Sequence, residues 1–198
     1  MNKPLLRIVQ VALILTFFSF TSIQDAPEWK IGKSHSKIGF SVNHFFTPVE
    51  GYFNDYEGSL KFDPENLAGS SANFNVKVAS VNTDNEKRDN DLKSDSFFNV
   101  EKFPEMKFTS TGFSKTDEGY VVKGNLTVKD VTKPVEVPFQ VLGVGPNPWK
   151  KNSLIMGIKG SFKINRNDYG VGTGNWAATA VVGGEVTINV LLELNRDE

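Results

Sequence analysis

Side chains that could carry chemistry are few in this sequence and widely spaced. The chain of 198 residues contains two histidines, His35 and His44, and no cysteine. The lack of cysteine excludes a thiol nucleophile, a disulfide framework and a zinc ribbon. Two histidines cannot form a three-histidine metal centre, although a site shared with carboxylates stays open. Ser36 follows His35 but lacks the G-x-S-x-G context of a serine nucleophile. We therefore predict that the chain is not an enzyme and holds no metal or cofactor.

Acidic residues cluster in one segment, but their spacing does not fit a calcium loop. An EF-hand needs a glycine at its sixth position and a closing glutamate, and the segment 84–95 offers neither in register. Arg88 beside Asp89 instead predicts a structural ion pair, as do Arg166 and Asp168. The total of 22 basic and 23 acidic residues gives no electrostatic footprint for nucleic acid. We expect no nucleic-acid partner.

The first residues have the layout of a secretory signal peptide. Lys3 and Arg7 precede an apolar run over 8–20, and small polar residues follow at Thr21 and Ser22. The run is short for a spanning helix, although an uncleaved membrane anchor is the alternative. We expect a signal peptide over 1–22 and a mature domain over 23–198 in the periplasm or outside the cell.

The rest of the chain is dominated by alternation of apolar and polar residues, which predicts β-strands. Ile38, Phe40, Val42 and His44 share one face of a strand. Similar runs occupy the segments 74–78, 120–129, 135–141, 154–164 and 186–194. One helical stretch is expected near 84–98, with Thr83 or Asp84 as its N-cap. The pattern predicts one antiparallel all-β domain, either a sandwich or a closed barrel.

A sheet with one apolar face must bury that face, and closure into a barrel also removes exposed edges. Gly124, Gly143 and Gly160 fall on the expected inward face and could mark bends or room for a ligand. The sixteen phenylalanines either fill the core or line a hydrophobic tunnel. An outer-membrane barrel has the opposite orientation, but the charged end of the chain and the lysine-rich polar faces favour a soluble barrel.

Several motifs, taken in order, resemble the YceI-like, polyisoprenoid-binding family. They are WKI (29–31), HSKIGFSVNH (35–44), VEGYF (49–53), SVNTDN (80–85), RDNDLKSDSFF (88–98), FPEMKFTS (103–110), GNLTV (124–128), VTKPV (131–135) and the segment 162–170. The similarity spans about 28–194. Two positions depart from the usual pattern: Asp91 stands where the family often has histidine, and Asp130 where it often has glycine.

The resemblance implies an exported, lipocalin-like barrel of roughly eight strands that holds an isoprenoid lipid, of the quinone or polyprenyl phosphate type, for transport or storage. Transient membrane contact and a homodimer are further partner interactions left open. Two alternatives remain: a stress-related structural barrel with a filled core, and an enzyme acting on a bound lipid. A filled core predicts no continuous cavity, whereas an enzyme predicts a water-accessible His44 or carboxylate deep in the barrel.

The ligand-binding hypothesis assigns specific residues to the barrel interior. The predicted lining consists of Phe40, Val42, His44, Phe74, Val76, Met106, Phe108, Leu126, Val128, Val137, Phe139, Ile158 and Phe162. A polar head group would lie at the mouth of the barrel, where His44, Arg88 and Lys93 are the candidate contacts.

Overall fold

A computed structural model describes residues 24–197, so the expected signal peptide over 1–22 lies outside the described residues. In this part of the chain there are eleven strands and one α-helix. The strands are β1 (Glu28–Ile31), β2 (Lys37–His44), β3 (Thr47–Phe53), β4 (Tyr56–Lys61), β5 (Ser71–Lys77), β6 (Val81–Asn82), β7 (Glu105–Thr116), β8 (Gly119–Val128), β9 (Val131–Pro146), β10 (Ser153–Asn165) and β11 (Val182–Asp197), and the helix is α1 (Glu86–Lys93).

The strands form a closed antiparallel barrel. Its ring runs β1-β4-β5-β7-β8-β9-β10-β11 and closes where β1 pairs with β11, which gives eight strands. The predicted all-β fold with roughly eight strands and a short helix is therefore confirmed. Above β1, β2 continues along the same edge of β11, and β3 and β6 extend the wall beside it.

The barrel has two ends that differ in structure. The lower end contains the turns β4–β5, β7–β8 and β9–β10, and the upper end contains the turns β2–β3 and β8–β9 with the segment 166–181. Aromatic rings close the lower end. Phe62 lies 5.2 Å from Tyr120, 5.4 Å from Phe139 and 5.9 Å from Phe113 between ring centroids, and its side chain is 1% exposed.

Helix α1 is shorter than the sequence predicted and begins at another residue. Asn85 is the N-cap, because its side chain accepts the Arg88 amide at 3.0 Å. Thr83 and Asp84 do not cap the helix, and Asp84 has a positive φ of 58°. The helix ends before Ser94, and residues 95–98 form a turn. The polar sequence of α1 gives no buried face of its own, so the helix lies on the barrel surface.

The three glycines expected to face inward have different environments. A Cβ on Gly124 would lie 2.5 Å from the Phe108 ring, so the glycine makes room for that ring. Gly160 lies on the interior wall. Gly143 is exposed with open space around it, and its inward assignment was wrong. The cause is a bulge at Leu142, which breaks the alternation of β9 by shifting its register against β10.

Candidate functional site

The barrel interior contains a cavity of about 170 Å³. Its wall is apolar throughout except for Lys107, and it draws residues from both halves of the barrel. Ten of the predicted lining residues lie on it, namely Phe74, Val76, Met106, Phe108, Leu126, Val128, Val137, Phe139, Ile158 and Phe162. The inward alternation of β5, β7, β8, β9 and β10 brings these side chains together from distant parts of the sequence.

Three predicted lining residues lie elsewhere, all of them on β2. The Phe40 ring packs against Phe53, with centroids 5.7 Å apart. Val42 is half-buried higher on the wall, and His44 is exposed at the end of the strand with its ring edge-on to Phe45 at 4.8 Å. β2 rises above the cavity towards the upper end, so alternation alone placed these residues on the correct face but not at the correct height.

None of the three head-group candidates, His44, Arg88 and Lys93, lies on the cavity wall. Arg88 is held by Thr83, to which it donates from Nε to Oγ1 at 2.8 Å and from a terminal nitrogen to the carbonyl oxygen at 2.7 Å. Asp89 accepts from the same Thr83, through its hydroxyl at 2.6 Å and its amide at 2.9 Å. The expected Arg88–Asp89 ion pair was therefore wrong, because both side chains fix the loop before α1 by binding Thr83.

The cavity wall also contains residues that the predicted site omitted. They are Ile38, Phe53, Leu60, Ala72, Phe113, Val122, Ile164, Ile188, Val190 and Leu192, with the backbone of Gly39 and Gly160. Val122 and Ile164 share the alternating faces of residues already chosen on β8 and β10, and Ile188, Val190 and Leu192 form one face of the predicted run 186–194. Strand periodicity was therefore a sufficient signal for them. Phe53 and Leu60 carried no such signal, because Gly51 and Gly58 interrupt the alternation nearby.

The upper end of the barrel is partly covered by two segments that pack together. Phe97, Tyr169 and Val171 form a buried cluster with Val128 at the top of β8. On the opposite side Phe98 reaches Phe53, with ring centroids 6.2 Å apart. The wall residues Ile164 and Ile188 near this end are half-buried. Most lower wall residues, among them Leu60, Ile158 and Leu192, are buried, and Phe113 is half-buried. The cavity is thus more accessible from above than through the aromatic lower end.

A buried arginine organises the segment that follows β10. Arg166 is 4% exposed and donates to the carbonyl oxygens of Val171 at 2.8 Å, Trp176 at 2.7 Å, Val182 at 2.8 Å and Gly183 at 2.9 Å. Burial lowers the pKa of its guanidinium. Asp168 pairs instead with Lys133 at 3.3 Å, so the expected Arg166–Asp168 pair was wrong.

Ion pairs between neighbouring strands lie on the outside of the barrel. Lys123 pairs with Glu136 at 2.8 Å and Lys163 with Glu185 at 2.7 Å across neighbouring strands. Among residues 24–197, no group of three or more histidine and carboxylate side chains is placed to hold a metal ion. The same part of the chain has no helix with the length and apolarity to span a bilayer.

A closed antiparallel barrel around an apolar cavity defines a class of barrels suited to enclosing one small ligand. Residues 29–194 match the YceI-like domain, and the chain belongs to that family. A UPF0312 protein of Photorhabdus laumondii is 38% identical over 85% of this chain and 86% of its own length. A UPF0312 protein of Yersinia enterocolitica is 40% identical, with 84% and 83% covered.

Solved structures share the barrel. BcnA of Burkholderia cenocepacia has a TM-score of 0.75 at 27% identity, with 82% of this chain and 98% of that chain covered. The YceI protein of Campylobacter jejuni has a TM-score of 0.66 at 26% identity, covering 96% and 100%. A polyisoprenoid binding domain from Saccharophagus degradans, implicated in plant cell wall breakdown, has a TM-score of 0.60 at 13% identity, covering 87% and 99%, and this similarity extends to the fold alone.

Proposed function

We propose that this protein binds an isoprenoid lipid inside the barrel and transports or stores it. The observation that carries the proposal is the interior cavity, whose wall is apolar except for Lys107. Membership of the YceI-like family supports it, because the resemblance implies an isoprenoid ligand. Quinones and polyprenyl phosphates are two ligand types that combine an isoprenoid tail with a polar head.

An apolar tail gains affinity in proportion to its buried length. Each buried CH₂ contributes about 0.8 kcal/mol, so roughly twenty enclosed carbons give more than about 10 kcal/mol before association and ordering costs are subtracted. The cavity is close in volume to an apolar cavity of about 150 Å³ that accepts a benzene-sized guest. A long tail therefore needs movement of wall side chains, or it extends through the upper end.

The cavity and its surroundings also weigh against the two alternatives. A filled core leaves no room for a guest, whereas this interior keeps a cavity of about 170 Å³. An enzyme acting on a bound lipid needs a polar group at the reacting atom, but His44 is exposed at the rim and the wall is apolar. Binding without chemistry is the function that this interior supports best.

Filling the cavity tests the proposal directly. Val190 points into the cavity, and Leu191 on the same strand points outward with 42% exposure. We expect Val190→Trp to abolish retention of geranylgeraniol, measured by native mass spectrometry after purification without detergent. Leu191→Trp adds the same ring outside the barrel and should retain the adduct. Phe108→Trp, from another wall strand, provides a second blocked cavity if Val190→Trp folds poorly.

The outcomes separate the candidate functions. Retention of geranylgeraniol by folded Val190→Trp and Phe108→Trp would show that the ligand binds elsewhere. Absence of any adduct on the unaltered protein would favour the filled core, and conversion of the lipid to a product of different mass would favour an enzyme. Palmitic acid as a comparison ligand tests whether the cavity prefers the branched isoprenoid over a straight chain.

We also propose that the protein acts in the periplasm or outside the cell after removal of residues 1–22. The apolar run behind Lys3 and Arg7 supports export. N-terminal sequencing of the protein from fractionated cells should find a mature chain that starts near residue 23. Recovery of the intact N-terminus in the membrane fraction would indicate an anchor instead.

A further inference from the structure

Two uncharged segments meet at the upper end of the barrel. Residues 38–49 contain no charged side chain other than His44, and residues 169–184 contain none, although charged residues make up 23% of the chain. The segments are neighbours because the Phe45 amide donates to the Val181 carbonyl oxygen at 2.8 Å and His44 pairs with Val182. We call these two segments the uncharged rim.

The uncharged rim presents large apolar side chains to the surroundings. Phe46 is 99% exposed and Phe45 55% exposed at the tip of the β2–β3 turn, and Trp176 is 38% exposed in the facing segment. Residues 177–180, a run of alanine and threonine, are also exposed. Exposed apolar groups collected at one place commonly mark an interaction site, whereas isolated ones do not.

The backbone conformation at the tip of the β2–β3 turn indicates a functional role for Phe45. Phe45 has a φ of 52°, in the left-handed region where asparagine and glycine are the ordinary residues and bulky ones are uncommon. The fold thus holds an aromatic residue in a conformation that a smaller residue adopts at lower cost. Backbone strain of this kind is typically retained at sites with a function.

We propose that the uncharged rim is the surface by which the protein docks on a lipid bilayer, and this inference rests on the proposed lipid-binding function. A protruding aromatic tip with no charge beside it suits the interfacial region of a bilayer, which accepts aromatic rings and disfavours desolvated charges. The rim also continues directly from the cavity wall: along the β2–β11 pair, Ile188 on the wall is followed by Val186 opposite Val42, and then by the tip.

This placement gives a bilayer lipid a short apolar path. The cavity is more accessible from the upper end, and Val42 and Val186 are half-buried between the cavity and the tip. A tail that leaves a bilayer under the rim meets apolar side chains before it reaches the interior. The lower end offers no equivalent route, because Phe62 and Phe139 in its aromatic cluster are only 1% and 7% exposed.

Vesicle flotation with neutral phosphatidylcholine vesicles tests the docking surface. We expect the full chain to float with the vesicles and Phe45→Asn/Phe46→Ser to lose at least about tenfold in partitioning, since burial of a single phenylalanine is worth about that factor. Asparagine suits the left-handed backbone at position 45, so the variant should fold. Trp149→Ser removes a side chain that is 88% exposed at the opposite end of the barrel and should bind vesicles normally.

A second measurement reports on orientation. Brominated phosphatidylcholine should quench tryptophan fluorescence in the unaltered protein and in Trp149→Phe, but not in Trp176→Phe, because Trp176 lies on the rim and Trp149 does not.

Absence of flotation, or an equal loss of flotation in Trp149→Ser, would overturn the proposal. A concentration-dependent dimer that disappears in Phe45→Asn/Phe46→Ser, without vesicle binding, would assign the rim to a second copy. Val190→Trp changes the cavity and leaves the rim unaltered, so this variant should still float with the vesicles. If it floats but binds no lipid, the defect lies in the cavity and the docking surface is intact.

Discussion

Glu105 lies at the upper end of β7, where two lysines approach its carboxylate. Lys77, its partner across the β5–β7 pair, donates to one carboxylate oxygen, and Lys107 lies 3.1 Å from the other. Hydrogen bonds from Lys77, Asn75 and Lys107 lower the pKa of Glu105 from 4.5 to about 2. A lowered pKa in the folded state means that ionised Glu105 stabilises the fold at neutral pH.

Stability should therefore depend on pH through this residue. Its contribution is complete above pH 4.5 and is lost as the pH falls towards about 2, where the folded carboxyl takes up its proton. We expect Glu105→Gln to be less stable than the unaltered protein at pH 7, with the difference shrinking between these two pH values in urea titrations. Glu136→Gln, which breaks an exposed pair with Lys123, should change stability little at either pH. A constant difference for Glu105→Gln across this range would contradict the assignment.

Arg166 shows which single-residue roles a sequence can and cannot reveal. Its nearest acid along the chain is Asp168, so proximity predicted an ion pair. In the structure its partners are carbonyl oxygens from 171 to 183, brought together only when β10 and β11 pair. Backbone carbonyls look identical at every position of a sequence, so no residue pattern could have identified this network. The cavity residues differ from these carbonyl groups, because their apolar side chains and their alternation can be read directly from the sequence.

Strand β1 closes the barrel, and it does so with few paired residues. It has only two residue pairs with β11 and two with β4 in the described structure. Trp29 reinforces this short seam: its side chain is 4% exposed, its Nε1 donates to the Phe62 carbonyl oxygen at 3.0 Å, and the Arg196 guanidinium lies 4.8 Å from its ring centroid. The seam thus combines short backbone pairing with one large buried side chain.

Removal of that side chain should weaken closure. We expect Trp29→Ala to lower the free energy of unfolding by about 3–5 kcal/mol, as for other large aromatic truncations. Trp29→Phe should cost less, because it keeps most of the packing and loses mainly the hydrogen bond, worth about 1 kcal/mol. Trp149→Ala removes an exposed indole and should stay within about 0.5 kcal/mol. Denaturant unfolding measures all three, and a Trp29→Ala protein as stable as Trp149→Ala would show that the seam closes without this residue.

The elements differ in how far sequence alone could place them. Alternation identified β2, β5, β8, β9, β10 and β11, because each presents several large apolar residues to one side. β4 was not recognised, since Glu57 and Gly58 interrupt a strand of only six residues. β1 and β6 have only four and two residues, so they are recognised as strands only by their pairing with other strands. The bulge at Leu142 is a shift in the pairing of β9 with β10, which the sequence of one strand does not show. β7 was not among the predicted runs either, and a bulge between Ser110 and Gly112 interrupts its register. Long strands with an unbroken apolar face were predictable, and features set by pairing were not.

At the scale of the whole molecule, the cavity and the uncharged rim are proposed to make separable contributions to lipid binding. Under the proposed function, the cavity sets the affinity for the ligand, because its wall would make the apolar contacts. The rim is proposed to set how quickly the ligand arrives from a bilayer. A bound ligand stabilises the folded state by mass action, whether it enters from solution or from a membrane. Docking on a bilayer matters only when the lipid starts in a membrane. Thermal stability and transfer rate should thus respond to different substitutions.

We expect geranylgeraniol at about a hundred times its dissociation constant to stabilise the delipidated protein by about 2.7 kcal/mol. For a domain of this size that corresponds to a rise in Tm of roughly 5–11 °C. Val190→Trp should show no rise, because its cavity is filled. Phe45→Asn/Phe46→Ser should show the full rise with lipid supplied from solution, yet take up the same lipid from phosphatidylcholine vesicles more slowly. Equal loss of both properties in the rim variant would mean that the rim shapes the cavity itself, since a surface that only docks on bilayers leaves the equilibrium with dissolved ligand unchanged.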